Sequence, residues 1–408
     1  MSLPSILHVP PALYYPKFRA YWFGTLASVM GFQIFLFAQL WLVHSMTGSA
    51  LYLGYVGLAT ATPSILLNLI GGVYADKVDQ RKLIIITQLI NGILMLTLAT
   101  LTMLDKVMVW HVLILGFTSG AVGAFDQPAR QAMYPQLIDR KVMVSAVALN
   151  SVLWQGTRIF VPPIAGLIIA IAGTATAFYI ASMGSLVMAG VLIMLKTPEV
   201  SSASKHSAIS NMIEGLRFIT SNSIFAYLIG MTFFNSLFGM TYITLMPVFA
   251  VDMLKIGSEG QGLLLGVSGV GALITTIWFS SRPNVGNRSK FIVGGVILSG
   301  LCVAGFSMSA DYLSNYFLAM GLMFLVGVFN SAFMVSVMSS LQLMVPDRMR
   351  GRVMGFYGMT WSIMPLGAML AGVLGSFIGV SSAVALGGLL VSTFGVVVIA
   401  INKQIREL

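Results

Sequence analysis

Gly72-Val73-Tyr74-Ala75-Asp76-Lys77-Val78-Asp79-Gln80-Arg81-Lys82 is a polar break between two mostly apolar runs. Each run holds roughly twenty residues, the length a helix needs to cross a bilayer. Charges packed this densely cannot sit in hydrocarbon, so the break lies at a membrane surface. The flanking runs then read as membrane-crossing helices, and the same logic extends along the chain in both directions.

The bulk composition agrees. Of 408 residues, 57% are hydrophobic and only 8% charged, and the mean hydropathy is +0.92. A soluble domain carries about 25% charged residues, so most of this surface faces lipid. Twelve spanning helices would use about 240 residues and leave short loops. A transmembrane barrel would show alternating strands of about ten residues, and these runs are too long and too continuously apolar for that. The net charge of +10 raises nucleic acid as a partner. The basic residues lie in small groups between apolar runs, however, with no basic stripe or aromatic platform, which excludes it. The single cysteine, Cys302, excludes an internal disulfide and a cysteine-based metal site. The four histidines (His8, His44, His111, His206) show no ligand spacing. The N-terminus lacks the charged start and cleavage site of a signal peptide, so the first apolar run is kept as a helix.

Hydropathy predicts helices near 18–43, 51–75, 83–104, 109–128, 145–172, 175–196, 222–250, 261–281, 290–310, 314–341, 352–378 and 381–402. The expected fold is an all-α membrane protein with twelve helices in two pseudo-symmetric bundles of six. The bundles are residues 1–196 and 222–408, and 197–221 is a cytoplasmic linker containing Ser201-Ser202-Ala203-Ser204-Lys205-His206. Lysine and arginine in short loops set the orientation. With both termini in the cytoplasm, nineteen of the 22 basic residues fall inside. Lys106 and Lys255 fall outside, and Arg158 lies within a helix. The halves repeat: Pro135 precedes Val142-Met143 as Pro346 precedes Val353-Met354, 211 residues later. Internal repeats in a polytopic protein point to a site between the halves near the bilayer midplane.

The polar break has the form GxxxD followed by a basic cluster. It resembles the loop between the second and third helices of the major facilitator superfamily of transporters. Thr47-Gly48-Ser49-Ala50, Ala124-Phe125-Asp126-Gln127-Pro128-Ala129-Arg130-Gln131-Ala132, Val345-Pro346-Asp347 and Arg350-Gly351-Arg352-Val353-Met354 together resemble the branch that holds the enterobactin and macrolide exporters. The resemblance covers nearly the whole chain. It implies that Gly72 lets two helices pack closely and that Asp76 helps latch the cytoplasmic side shut. It departs from the family pattern at several points. Asp79 stands at the usual second glycine of the loop, and Gln80 at an arginine that relays charge to an acid at the end of helix four, here Asp126. Arg81 is the candidate substitute. Helix five reads Val161-Pro162-Pro163 where a glycine is usual, and Gly31-Phe32-Gln33 of helix one lacks the branch's frequent acid.

These comparisons set a candidate cytoplasmic gate of Gly72, Asp76, Lys77, Arg81, Asp126, Arg130, Arg350, Gly351 and Arg352. Asp76 beside the N-terminus of helix eleven would gain about 0.3–1 kcal/mol from the helix dipole. That contact can form only when the halves close on this side; the alternative is that the cluster merely enforces orientation. Asp126 and Arg130 are one turn apart, as a local ion pair or as a proton-binding acid beside its partner. Asp252 and Glu259, on the far side, read as solvated.

The candidate substrate cavity holds Gln33, Gln39, Asn150, Trp154, Arg158, Asn235, Asn330, Tyr357 and Trp361. Asn150, Trp154 and Arg158 share one helical face, continued by Ser151 and Gln155. Arg158 lies about 16 Å from the cytoplasmic interface, where a cation costs at least about 2.5–3.5 kcal/mol on insertion scales. It either lines the cavity or is a strut bonding carbonyls of a neighbouring helix. The 27 methionines suit an adaptable apolar lining. Gly262, Gly266, Gly269 and Gly271 permit close helix approach.

No phosphate-binding loop stands out, which leaves direct ATP use and any cofactor or metal unsupported. No paired acids, histidine cluster or Ser-His arrangement points to an enzyme. The expected function is secondary transport by alternating access, with efflux of small amphipathic or hydrophobic molecules and proton coupling implied by the resemblance. A lipid or lysolipid flippase or facilitator on the same scaffold, and a non-transporting receptor or scaffold, are the alternatives. The expected surroundings are the lipid bilayer of the cell (inner) membrane, with small molecules and protons as partners. The substrate and the oligomeric state are not visible in the sequence.

Overall fold

A computed structural model of the chain describes residues 10–195, 208–282, 288–402 and 406, leaving out the side chains of Leu69, Asp76, 208–212 and Asp347. Among the described residues all regular structure is helical, and 11 helices are long and apolar enough to cross a membrane. One of them, Met143–Met194, runs 52 residues. That is about 78 Å at 1.5 Å per residue, far more than the hydrocarbon thickness of about 30 Å. It doubles back at Gly173, whose φ of 83° is open to glycine. With its limbs counted separately, twelve segments among the described residues are long enough to cross.

In chain order the elements are α1 (Pro16–Thr47), α2 (Ala50–Lys77), α3 (Gln80–Met103), α4 (Val109–Met133), and the two limbs α5 (143–172) and α6 (174–194). A short helix follows, α7 (Ala208–Ser221). Then come α8 (Ser223–Met253), α9 (Gly257–Ser280), α10 (Arg288–Tyr312), α11 (Tyr316–Met344), α12 (Arg348–Ile378) and α13 (Val380–Ile401). The expected boundaries hold to a few residues, and α4 continues through Pro128.

The turns repeat in pairs. On the side away from the basic clusters, each turn carries a residue at positive φ. Gly48 closes α1–α2 and Gly257 closes α8–α9. Asp105 closes α3–α4 and Ser314 closes α10–α11. Gly173 closes α5–α6 and Gly379 closes α12–α13. Packing follows the same seven-element offset: α3 lies on α6 as α10 lies on α13, and α2 on α4 as α9 on α11. The result is two six-helix bundles, α1–α6 and α8–α13. They meet through α5 on α9 and α2 on α12, the exchange that a twofold relation between halves produces.

The polar break is where α2 ends and α3 begins. Asp79 caps α3, its carboxylate accepting the Lys82 amide at 3.3 Å. This residue, the departure from the usual loop glycine, thus has a local role. The stretch expected as linker is structured in its second part. α7 packs on α12, with Arg352 Nη1 2.6 Å from Glu214 Oε1. Residues 197–207 of that expectation lie outside the described residues.

Candidate functional site

The seam between the bundles is shut at one end. A Cβ at Gly262 of α9 would come within 2.5 Å of the Pro162 carbonyl oxygen of α5, and one at Gly266 within 2.5 Å of Pro163 Cγ. Gly269 faces Ile159, and Gly166 of α5 presses on the Ser258 backbone. On the other seam, Gly54 and Gly57 of α2 lie against Met369 and Pro365 of α12, and Gly372 against Ala50. Small residues here let backbones approach across the interface, as expected for α9; Gly271 instead faces Phe324 of α11, within its own bundle. Two polar ties cross the same end. The Ser258 hydroxyl donates to the Gly166 carbonyl at 2.9 Å, and His44 Nε2 lies 3.2 Å from Asp252 Oδ1. Asp252 is therefore engaged with the opposite bundle, not merely solvated as expected.

At the end bearing the basic clusters the seam is open. Gly72, Gly351, Gly355 and Gly358 have nothing within 4 Å of where a Cβ would stand. The close packing expected of Gly72 is absent in this conformation. Its neighbour Gly71 is the residue that touches α4, at the Ala124 carbonyl. Lys77 is exposed in the last turn of α2. Arg81 does not stand in for the relay arginine: it donates to the Leu192 and Ile193 carbonyls at 2.6 and 2.8 Å. These are the orphan acceptors at the end of α6, so Arg81 caps that helix. Arg352 is held by Glu214, while Arg350 and Gly351 are exposed at the start of α12.

A pocket of about 250 Å³ runs up into the first bundle, lined by Ser28, Asn68, Gln88, Asn91, Asp126, Gln127, Arg130, Trp154 and, from the second bundle, Ser362. In its wall Asp126 is 6% exposed. It accepts from Arg130 Nε at 2.5 Å, Thr87 Oγ1 at 2.6 Å and Gln88 Nε2 at 3.0 Å. Three donors converge on one carboxylate, as an ionised group accepts. Arg130 Nη2 also donates to Ser28 at 2.9 Å, while its Nη1 has no partner among the described residues. The i, i+4 pair is thus a junction of α1, α3 and α4.

Arg158 stands midway along α5 and is exposed within the seam. Its guanidinium carbon lies 4.9 Å from the centre of the Trp361 ring on α12, and Tyr242 of α8 is within electrostatic reach. Among the described residues it makes no ion pair and donates no hydrogen bond, so it is not the carbonyl strut that was one of its two expectations. Trp154, one turn earlier, lines the pocket. Gln33, Asn150 and Asn330 are half-buried without a hydrogen bond among the described residues.

Three expected cavity residues are packed away instead. Gln39 is 1% exposed and donates to the Val112 carbonyl of α4 at 3.4 Å. Asn235 is 1% exposed in a π-turn of α8 and points into the second bundle beside Gly239. Tyr357 is buried and reaches Met334 of α11. Gln39 and Tyr357 satisfy their polar groups against a neighbouring helix of their own bundle, the ordinary use of such residues in membranes, whereas Asn235 Nδ2 has no partner among the described residues. Sequence reasoning missed His44 and the pocket amides. A histidine at the end of an apolar helix was the available signal for the first.

A family model described as Transmembrane secretion effector matches residues 11–408. The chain belongs to this family of the major facilitator superfamily. It is 26% identical to a staphyloferrin A transporter of Staphylococcus aureus, over 90% of this chain and 91% of that protein. It is 24% identical to macrolide efflux protein A of Streptococcus pyogenes (96% and 97%), and 23% identical to an enterobactin exporter of Escherichia coli (96% and 93%). Among solved structures, a bacterial homologue of the human lysosomal transporter Spinster, inward-facing and occupied, superposes with a TM-score of 0.76 at 10% identity, covering 98% and 99% of the two chains. The nucleoside transporter NupG gives 0.73 at 13% (95% and 99%). This family member is a multi-pass membrane protein, not an enzyme, and a secondary transporter that exports small molecules.

Proposed function

We propose that the transporter takes small amphipathic molecules from the cytoplasm and releases them across the cell membrane, the inner one where there are two. It works by alternating access and is driven by protons. The moving bodies are residues 1–196 and 222–408, tied by 197–221, with both termini cytoplasmic. The observation that carries this reading is the one-sided seam. The pocket opens where the basic residues gather, and those mark the cytoplasm, while the far end is shut by α2–α12 and α5–α9. The exporters among its relatives support the direction. Closing the open end would bring the Asp76 loop and the start of α12 together, which is where an acid–helix latch would act. Proton coupling is carried over from the resemblance to the exporters.

Reconstituted vesicles test this. A pH jump should drive movement of an amphipathic dye, and Asp76→Asn should slow it while insertion and yield stay the same. Dye movement indifferent to the gradient overturns the coupling. Movement of labelled lipid alone, without a gradient, favours flipping.

A further inference from the structure

Arg158 stands in the seam with no ion pair or hydrogen bond among the described residues. Arg282 also lies over an indole, that of Trp278, but within its own helix α9 and its flanking turn; other arginines are engaged by polar groups. Arg81 caps helix carbonyls, Arg130 is neutralised by Asp126, and Arg352 pairs with Glu214. Among the described residues, the groups found around the Arg158 guanidinium are aromatic ones of the opposite bundle, the Trp361 ring and Tyr242. A cation this deep is tolerated when it faces a cavity or awaits a partner. A guanidinium held over an indole engages the ring through its carbon and leaves its N–H fork, which lies in the guanidinium plane, available to a further partner. That fork matches a carboxylate or phosphate in a bidentate fashion. The pocket-wall acid Asp126 already holds three donors.

We propose that Arg158 and Trp361 form an anion subsite, so that the cargo is an amphipathic anion, its acidic group on the guanidinium and its apolar body against the indole. The proposal rests on the transport reading and narrows it. The subsite spans the two bundles, so cargo bound there bridges the bodies that must move. An ammonium in the same place would face a like charge at close range, which costs binding. The charge-assisted contact should favour the anion about tenfold or more.

The test uses purified full-length protein in lipid nanodiscs and three matched probes: 2-naphthylacetate, its neutral amide, and 2-naphthylethylammonium. Quenching of tryptophan fluorescence reports their affinities. The anion should bind about tenfold or more tightly than the other two. That ratio should fall to near one in Arg158→Gln and survive in part in Arg158→Lys. Ratios are taken within one variant, so loss of folded protein scales all three probes alike. Equal affinities, a preference for the ammonium, no binding of any probe, or an unchanged ratio in Arg158→Gln overturns the anion subsite. Competition by lysophosphatidylglycerol, but not lysophosphatidylcholine, assigns the acidic group to a lipid headgroup; displacement only by soluble naphthylacetate assigns it to a free organic acid. Both support the subsite. Vesicle transport of the neutral amide without anion preference would sink this inference and leave the transport reading standing; failure to move any probe, with the anion preference intact in binding, would do the reverse.

Discussion

Asp126 and Arg130 show how one residue pair organises three helices. Both side chains are nearly buried, at 9% and 8% exposure, and removing one member of such a pair strands a charge at a cost of about 3–5 kcal/mol. Arg130→Ala should therefore lower the thermal unfolding midpoint in detergent markedly, and Asp126→Asn with Arg130→Ala should recover a large part of the loss. A single mutant that melts like the parent would show that the pair carries no structural load. The pair was legible from its i, i+4 spacing. Its partners Ser28, Thr87 and Gln88 were not, because they arrive from other helices. His44 and Asp252 were illegible for the same reason, lying 208 positions apart. At the surface, Tyr15 donates to Asp139 at 2.7 Å. That bond first, then desolvation and the carboxylate's charge, hold the phenol above its ordinary value of 10.0. A raised value means that the tie is present through neutral pH and is lost as pH climbs past it. The stability difference between the parent and Tyr15→Phe should be constant near neutrality and vanish only in strong alkali, as read by melting curves across pH.

At the scale of elements, the apolar runs gave the helices away because lipid demands an unbroken hydrocarbon face. α7 escaped notice because it does not cross. Its pattern was present in Ile209, Met212, Ile213, Leu216 and Ile219, an amphipathic stripe at helical spacing, but the polar run before it read as a connector. The Glu214–Arg352 contact that helps dock it is partly exposed, so it should contribute less than about 1 kcal/mol. The interface of α5 and α9 was half legible. The glycines of α9 announced close packing, yet nothing in the chain named Pro162 and Pro163 as what they pack on. Gly262→Val would drive a methyl into the Pro162 carbonyl. It should yield folded protein with slowed transport and, with a reporter cysteine nearby, faster labelling from the far side. Unaltered labelling would mean that the helices can slide past the added group.

For the whole molecule, the twofold exchange of α2–α12 and α5–α9 was foreseeable from the repeated proline and Val-Met segments, whereas the conformation was not. Sequence specifies two bundles, but which end is closed depends on contacts worth a few kcal/mol between alternative packings of the same helices. A covalent lock makes this measurable. A Cβ at Gly57 would stand 3.2 Å from Pro365 Cβ, near the separation a disulfide spans. In a Cys302→Ser background, Gly57→Cys with Pro365→Cys should crosslink on oxidation and abolish transport, with recovery on reduction. Transport that continues through the crosslinked protein would show that this end never opens.

The vacant glycines Gly72, Gly351, Gly355 and Gly358 carry a consequence for how such a protein tolerates change. An alanine at any of them meets nothing in the arrangement described above, and a screen for folding or membrane yield would pass it as harmless. The same residue would act as a doorstop once the helices swing together, and its cost would fall entirely on the half of the cycle that is out of sight.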